Sequence, residues 1–261
     1  MTAAPAQRGV DAVRLLGADP AQRPPYRLLL TEAWSVAAYR PALPDPATLP
    51  DGNGQHVLVI PAFLATDLLA AGLRAFLRQC GFQPHRWGLG VNWGPTPRIL
   101  DRLLRRLDLL TRDGPIGLVG VSMGGVLARN LACERPSAVS HVVSICSPFR
   151  LPVPTTIGPL VRLCAPHYCG TTDLDRLRQP LPVPSTMICS RDDGIVAPAH
   201  CWTDQPGAKV VEVSGSHISI CRNPAVLRTV VQELAGDIRG PGCAVAPSAA
   251  GRMPRSPATR L

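Results

Sequence analysis

The sequence has very little lysine and few aromatic residues. Lys209 is the only lysine among 27 basic residues, and 4% of the chain is aromatic. The arginines that bring the net charge to +9 are scattered without interleaved aromatics, and four of them lie in the last 23 residues. Nucleic-acid surfaces normally cluster their basic residues on one face or along one helix. The composition therefore predicts no nucleic-acid partner.

Long hydrophobic runs are also missing. No run reaches the roughly 18 apolar residues of a transmembrane helix, and residues 1–11 lack the basic and apolar regions of a secretory signal. The nine cysteines are odd in number and spread along the chain, which is typical of reduced thiols and predicts a cytoplasmic protein. Cys164, His167 and Cys169 lie close together, but no second ligand pair follows at zinc-finger spacing, so we interpret them as a cysteine-rich loop.

The composition favours one globular domain between two irregular ends. Hydrophobic residues make up 46% of the 261 positions and charged residues 17%, which is enough apolar material for a single core. Residues 1–25 contain several prolines and little periodicity, so we expect a flexible arm. Residues 240–261 are dominated by Pro, Gly, Ala, Ser and Arg, which predicts a disordered basic tail. The domain itself is expected over residues 26–239.

Within that domain, apolar runs of strand length alternate with helical patterns. We expect strands at 56–60, 86–89, 116–121, 139–145, 186–189 and 209–213. We expect helices at 26–39, from 66 or 67 to 81, from 97 to 110, 124–134 and 224–234. For the first helix the predicted apolar stripe is Leu28, Leu29, Ala33, Val36 and Ala37. The alternation predicts an α/β fold, with a doubly wound, mostly parallel sheet and helices on both faces.

The motif that carries chemistry is Gly120-Val121-Ser122-Met123-Gly124, between a predicted strand and a predicted helix. This G-x-S-x-G pattern is the nucleophile elbow, a sharp turn that exposes the serine hydroxyl at the carboxyl edge of a sheet. Glycines are needed because side chains beside the turn would collide with the neighbouring strand and helix. The pattern makes Ser122 the candidate nucleophile.

A nucleophilic serine needs a general base, and the base needs a carboxylate to orient it. His217 follows one late predicted strand and Asp193 follows the other, 71 residues after Ser122 and 24 before His217. We prefer Asp193 to the adjacent Asp192, because Gly194 and the apolar residues behind it return the chain to the core and fix that carboxylate. The histidines that compete for the role of base are His56, His85, His141, His167 and His200.

Two backbone N–H groups should stabilise the oxyanion that a serine attack creates. One donor is expected directly after the nucleophile, at Met123. The second should come from the loop after the first core strand, where the candidate is Phe63.

At this point the chain resembles the α/β-hydrolase superfamily, particularly its bacterial lipase-like and esterase-like branch. The likeness covers about residues 55–235. The motifs that carry the resemblance are the segments 59–63, 120–125, 147–149 and 215–217, together with Ala128, Arg129 and Asp193. Residues 81–95 are similar to a stretch in small uncharacterised members of the superfamily. One departure is Ala62, where family members usually have a glycine before the oxyanion aromatic.

The resemblance implies a serine hydrolase that cleaves a carboxylic ester through an acyl-enzyme, with Ser122 as nucleophile, His217 as base and Asp193 as orienting acid. Phe63 and Met123 would form the oxyanion hole, and no metal or organic cofactor would be needed. Residues 147–179 would form a small cap with apolar lining, suited to a small-molecule or lipid ester. A peripheral membrane contact through the basic tail, an acyltransferase or thioesterase on the same triad, and a non-catalytic binding protein remain the alternatives.

Overall fold

The computed structural model describes residues 23–150, 154–164, 179–203 and 207–236. The predicted tail at 240–261, and most of the predicted arm at 1–25, lie outside the described residues. The same holds for His167, Cys169 and much of the predicted cap at 147–179.

Six strands in the described ranges form one parallel sheet in the order β2-β1-β3-β4-β5-β6. They are β1 His56–Ile60, β2 Gln83–Arg86, β3 Ile116–Val121, β4 Val139–Ile145, β5 Ser185–Ser190 and β6 Ala208–Val213. The helices are α1 Arg27–Ala38, α2 Ala71–Gln79, α3 Pro97–Leu110, α4 Met123–Glu134, α5 Gly158–Cys164 and α6 Pro224–Gly236. Short 3-10 turns lie at Pro46–Thr48, Pro136–Ala138, Pro198–His200 and Ile220–Arg222.

Alternate residues of the central strands feed two separate cores. Val57 and Val59 of β1 pack on the side covered by α2 and α6. Leu58 and Ile60 pack on the opposite side, against α3 and α4. Side chains of a strand point to opposite faces in turn, so a strand with apolar residues at every position must be covered on both faces. The predicted doubly wound α/β architecture with helices on both faces is confirmed.

Strand order also places two loops side by side. From β1 the chain crosses to β2 at one edge, whereas from β3 it proceeds through β4 and β5 to β6 at the other. The neighbours β1 and β3 therefore mark the point where the winding reverses, and ligands of open parallel sheets bind beyond the carboxyl ends of strands at such a point. The loop after β1 and the turn after β3 meet there.

The second strand lies earlier than predicted. The sequence predicted residues 86–89, but β2 runs in parallel register with β1 from Gln83 to Arg86. Asp67 ends this ladder, because its carboxylate accepts hydrogen bonds from the N–H groups of Trp87 at 3.0 Å and Gly88 at 3.2 Å. Gly88 then turns the chain with a φ of 72°.

The predicted apolar stripe of α1 is wrong at three of its five positions, because only Leu28 and Leu29 are half-buried. Val36 is 50% exposed, and Ala33 and Ala37 also face outward. The buried residues of this helix are Glu32 and Ser35. The helix is therefore attached to the rest of the domain through polar groups. Among the described residues, no helix is both long and apolar enough to cross a membrane.

Candidate active site

Ser122 occupies a strained turn between β3 and α4. Its φ of 52° and ψ of −120° lie outside the regions that side-chain-bearing residues ordinarily adopt. The Ser122 N–H donates to the carbonyl of Ile145 on β4 at 2.7 Å, which holds the turn against the sheet. Such strained conformations persist where the surrounding structure enforces them, and they cluster at functional sites.

Three glycines allow the turn to form. A Cβ at Gly120 would collide with the backbone of Gly124 and Gly125, and one at Gly125 would collide with the hydroxyl of Ser147. A Cβ at Gly124 would clash with the carbonyl of Ile60 and lie 2.7 Å from the carbonyl oxygen of Pro61. The turn is thus pressed directly against the loop that follows β1.

His217 and Asp193 form a buried pair in the loops that follow β6 and β5. His217 Nδ1 lies 2.6 Å from Asp193 Oδ2, and the two side chains are 5% and 0% exposed. Asp193 Oδ1 accepts hydrogen bonds from the N–H groups of Ile195 and Val196, both at 2.8 Å. These two bonds fix the carboxylate, so it can orient the imidazole ring.

The environment of His217 favours its protonated form. Burial alone would lower the pKa of His217, but the charge and hydrogen bond of Asp193 and the charge of Glu32 outweigh it, so the pKa is raised above its ordinary value. The ring is thereby suited to take up a proton and hold it as an imidazolium.

Asp192 and the four competing histidines within the described ranges lie elsewhere. Asp192 is exposed, and its carboxylate accepts from the N–H of Gly215 at 3.1 Å. His56 and His85 lie on β1 and β2 with ring centroids 4.9 Å apart. His141 contacts Thr186 Oγ1 at 3.0 Å, and His200 contacts the Arg150 carbonyl at 2.8 Å. Neither the acid–base pair nor the wall around Ser122 includes these residues.

The loop after β1 carries Phe63 beside the elbow. The N–H groups of Phe63 and Met123 have no hydrogen-bond acceptor among the described residues. Leu64 has a φ of 58° and is the residue of this loop in the strained left-handed conformation. The φ of Ala62 is not positive. The alanine that replaces the usual glycine is accordingly accommodated without backbone strain.

Asn92, whose role the sequence reasoning missed, holds that loop in place. It is fully buried, and its Nδ2 donates to the carbonyl of Pro61 at 2.7 Å while its Oδ1 accepts from the N–H of Gly94 at 3.0 Å. Its backbone carbonyl also accepts from the N–H of Leu64 at 2.7 Å. A lone Asn in a loop after a short strand carries no periodic signal that could have identified it.

Ser122 and His217 open onto one cleft of about 620 Å³. The rest of its wall is almost wholly apolar and comes from the loop after β1, from the described part of the predicted cap and from the loops of the acid and the base: Ala62, Phe63, Leu64, Ala65, Thr66, Leu68, Leu69, Ile157, Ile195 and Ile218. Leu68 is 83% exposed at the surface. Such a cleft suits an apolar ligand segment held beside a few polar groups.

Cys146 joins Asp193 and His217 in a cluster whose possible ligand atoms all lie within 4.8 Å of one another. Burial, followed by the charge of Asp193, raises the pKa of the Cys146 thiol well above its ordinary value. The facing atoms of Asp193 and His217 already bond each other at 2.6 Å. The donor set therefore fits an acid–base pair better than a metal centre.

Comparison with known proteins agrees with the fold. A sequence profile of the family described as alpha/beta hydrolase fold matches residues 77–163. No curated protein sequence matches the chain significantly. Together with the sheet topology, the profile match and the structural likenesses below show that the chain adopts an α/β-hydrolase fold.

Three solved structures illustrate the likeness. A hydrolase from Pseudomonas aeruginosa PA01 is 16% identical, with a TM-score of 0.52 over 72% of this chain and 92% of that one. A candidate non-heme bromoperoxidase from Mycobacterium tuberculosis H37Rv is 16% identical and also scores 0.52, over 72% of this chain and 94% of that one. A structure from work on LipS and LipT, two metagenome-derived lipolytic enzymes, is 15% identical and scores 0.50 over 69% and 94%. At these identities the likeness extends to the fold alone.

Proposed function

We propose that this protein is a serine hydrolase that cleaves a carboxylic ester in the manner of esterases and lipases. The observation that carries the proposal is the strained Ser122 in the wall of a cleft that also contains His217, whose ring is bonded to Asp193 at 2.6 Å. A serine presented on an elbow beside an oriented imidazole is the arrangement that acyl transfer requires.

In this mechanism Ser122 Oγ attacks the acyl carbon while His217 accepts the hydroxyl proton. The charge that appears on the carbonyl oxygen is stabilised by the N–H groups of Phe63 and Met123. His217 then returns the proton to the departing alkoxide, which leaves an acyl group on Ser122. Water attacks that acyl-enzyme with His217 again as base. The bond between Ser122 Oγ and the acyl carbon then breaks, His217 returns the proton to Ser122 Oγ, and the carboxylic acid departs. Asp193 holds the ring orientation and stabilises the imidazolium throughout.

The apolar wall indicates the class of substrate. The residues that surround Ser122 expose almost no charge to the cleft, so an apolar acyl or alcohol group is favoured over a charged one. The substrate is accordingly a small-molecule or lipid ester, and the chemistry calls for neither a metal nor an organic cofactor.

The decisive experiment is labelling with a fluorophosphonate, followed by intact-mass measurement of the wild type, Ser122→Ala and His217→Ala. One adduct on the wild type and none on either variant would support an activated serine. No adduct on the folded wild type, with or without detergent, would refute the proposal and favour a non-catalytic binding protein.

A series of p-nitrophenyl esters of increasing chain length then tests the substrate class. We expect kcat/KM to rise with chain length from acetate, because each further methylene buries apolar surface in the cleft. Equal rates for all chain lengths would contradict the assignment of the apolar wall to substrate binding. Parallel assays with a thioester and with an added alcohol acceptor separate ester hydrolysis from thioesterase and acyltransferase activity.

The predicted membrane contact through residues 240–261 stays a prediction, since these residues lie outside the described ranges. Anionic headgroups attract clusters of basic residues. Co-sedimentation with anionic liposomes should therefore weaken when residues 240–261 are removed, and unchanged co-sedimentation would eliminate this contact.

A further inference from the structure

The carboxylate of Glu32 joins helix α1 to both loops of the acid–base pair. Its Oε1 accepts hydrogen bonds from the N–H groups of Gly194 at 2.9 Å and His217 at 2.7 Å, and its Oε2 accepts from the N–H of Ile218 at 2.8 Å. Gly194 directly follows Asp193. A single side chain, 2% exposed, therefore contacts the backbone beside the acid and the backbone of the base itself.

The packing around this contact is tight. A Cβ at Gly194 would lie 2.8 Å from the carbonyl oxygen of Leu28 and 3.0 Å from Cγ of Glu32, so the loop approaches α1 as closely as a glycine permits. One turn further along, Ser35 Oγ accepts from the hydroxyl of Ser216 at 2.6 Å. These contacts define the position of α1 relative to the loops after β5 and β6.

A carboxylate suits this position for a reason of hydrogen-bond geometry. Three N–H groups converge on Glu32, and an ionised carboxylate is an acceptor at both oxygens. Charge-assisted bonds of this kind are shorter and stronger than neutral ones. A glutamine would place an NH2 group against at least one of the same N–H donors, and a buried donor without an acceptor is costly.

We propose that Glu32 is a positioning residue of the active site: its carboxylate ties the loop of Asp193 to the loop of His217, so that base and acid keep the geometry needed at Ser122. This inference rests on the proposed function, because it gives Glu32 a role in that reaction without any contact with the substrate. It also explains why α1 buries polar rather than apolar residues.

The alternative is that Glu32 only stabilises the fold, and the two roles differ in what they do to His217. The ionisable groups around the ring are Asp193 from the loop after β5, Glu32 from α1 and Cys146 from the end of β4. Of these, the Asp193 and Glu32 charges raise the pKa of His217. Removing the Glu32 charge should lower the pKa of His217 in correctly folded protein, which a general loss of stability would not do.

The test compares Glu32→Gln, Glu32→Asp and the exposed control Glu212→Gln with the wild type, each shown to be folded by thermal melting. For Glu32→Gln we expect kcat to fall about 10- to 100-fold, the loss that a misplacement of roughly 1 Å produces. KM should change little, and the acidic limb of the kcat/KM profile should move to lower pH. Glu32→Asp keeps the charge but is one methylene too short, so kcat should fall while the acidic limb stays in place. Glu212→Gln should match the wild type.

A second measurement does not depend on turnover: NMR titration of the His217 ring in the wild type and in Glu32→Gln. The inference is overturned if kcat falls only in proportion to the folded fraction and the His217 titration does not move. It is equally overturned if Glu32→Asp, folded, turns over as fast as Glu212→Gln. Wild type without any Ser122-dependent turnover would instead refute the proposed function, while the titration would still report whether Glu32 acts on His217.

Discussion

Replacing Asn92 with alanine tests how the loop that carries Phe63 is held. The change removes the bond from Asn92 Nδ2 to the Pro61 carbonyl and the bond from the Gly94 N–H to Asn92 Oδ1. Because Asn92 is fully buried, both partners lose an interaction that water does not readily replace. Leaving a buried polar group unsatisfied costs about 1–3 kcal/mol, so we expect the free energy of unfolding to fall by about 3 kcal/mol.

Asn130→Ala is the matched control. Asn130 is also buried, and its Nδ2 has no hydrogen-bond partner among the described residues. The same atoms are therefore removed from the interior without breaking the bonds that Asn92 makes. Urea denaturation measures the free energy of unfolding of both variants. We expect it to be about 2 kcal/mol higher for Asn130→Ala than for Asn92→Ala.

Ester hydrolysis provides the second readout for the same pair. Once the Pro61 carbonyl is released, the Phe63 N–H should drift from its place beside Ser122. We expect kcat of Asn92→Ala to fall at least about tenfold, equivalent to roughly 1.4 kcal/mol of transition-state stabilisation. Equal stabilities of the two variants within about 0.5 kcal/mol, or full activity of Asn92→Ala, would show that Asn92 does not hold the loop that carries Phe63.

Three further predictions concern the acid–base pair and the elbow. The pKa of His217 is raised above its ordinary value, and the base must be neutral to accept a proton. We therefore expect kcat/KM to fall as the pH drops, with a midpoint above the ordinary pKa of a histidine. A midpoint below that value in a pH profile would contradict the effect of Asp193 and Glu32 on His217. Asp193→Asn should lower kcat by about 10⁴-fold because it loses control of the ring tautomer, and steady-state kinetics showing wild-type turnover would mean that the pair is not used. Gly124→Ala should abolish fluorophosphonate labelling and lower the melting temperature, because its methyl group meets the carbonyls of Ile60 and Pro61; normal labelling would contradict the tight elbow.

Much of the fold could be predicted because it depends on local patterns. Apolar runs such as His56–Ile60 and Ile116–Val121 are long enough, and continuous enough, to require a strand covered on both faces. The helix predicted from 97 to 110 is α3, and the hydroxyl of Thr96 caps its start by accepting from the N–H of Ile99 at 3.3 Å. The predicted end of β2 was wrong because the side chain of Asp67, 20 residues earlier in the chain, ends that strand.

Some residues of the candidate site could likewise be predicted from local patterns, and others could not. Ser122 was identifiable because the elbow needs glycines at fixed spacing, and His217 and Asp193 because parallel strands bring their carboxyl ends to one edge. Glu32 was not identifiable: its partners are 162 to 186 residues away, and a single glutamate in a helical pattern resembles any solvated residue.

The amino-acid sequence by itself thus determined the alternation of strands and helices, the elbow at Ser122 and the order of the candidate base and acid, since each of these follows from spacing along the chain. Only the tertiary structure decided that α1 is attached through Glu32 and Ser35, and that Asn92 holds the loop of Phe63. These are contacts between segments distant in sequence, and hydrogen bonds of that kind form only once the packed sheet has placed their donors and acceptors within reach.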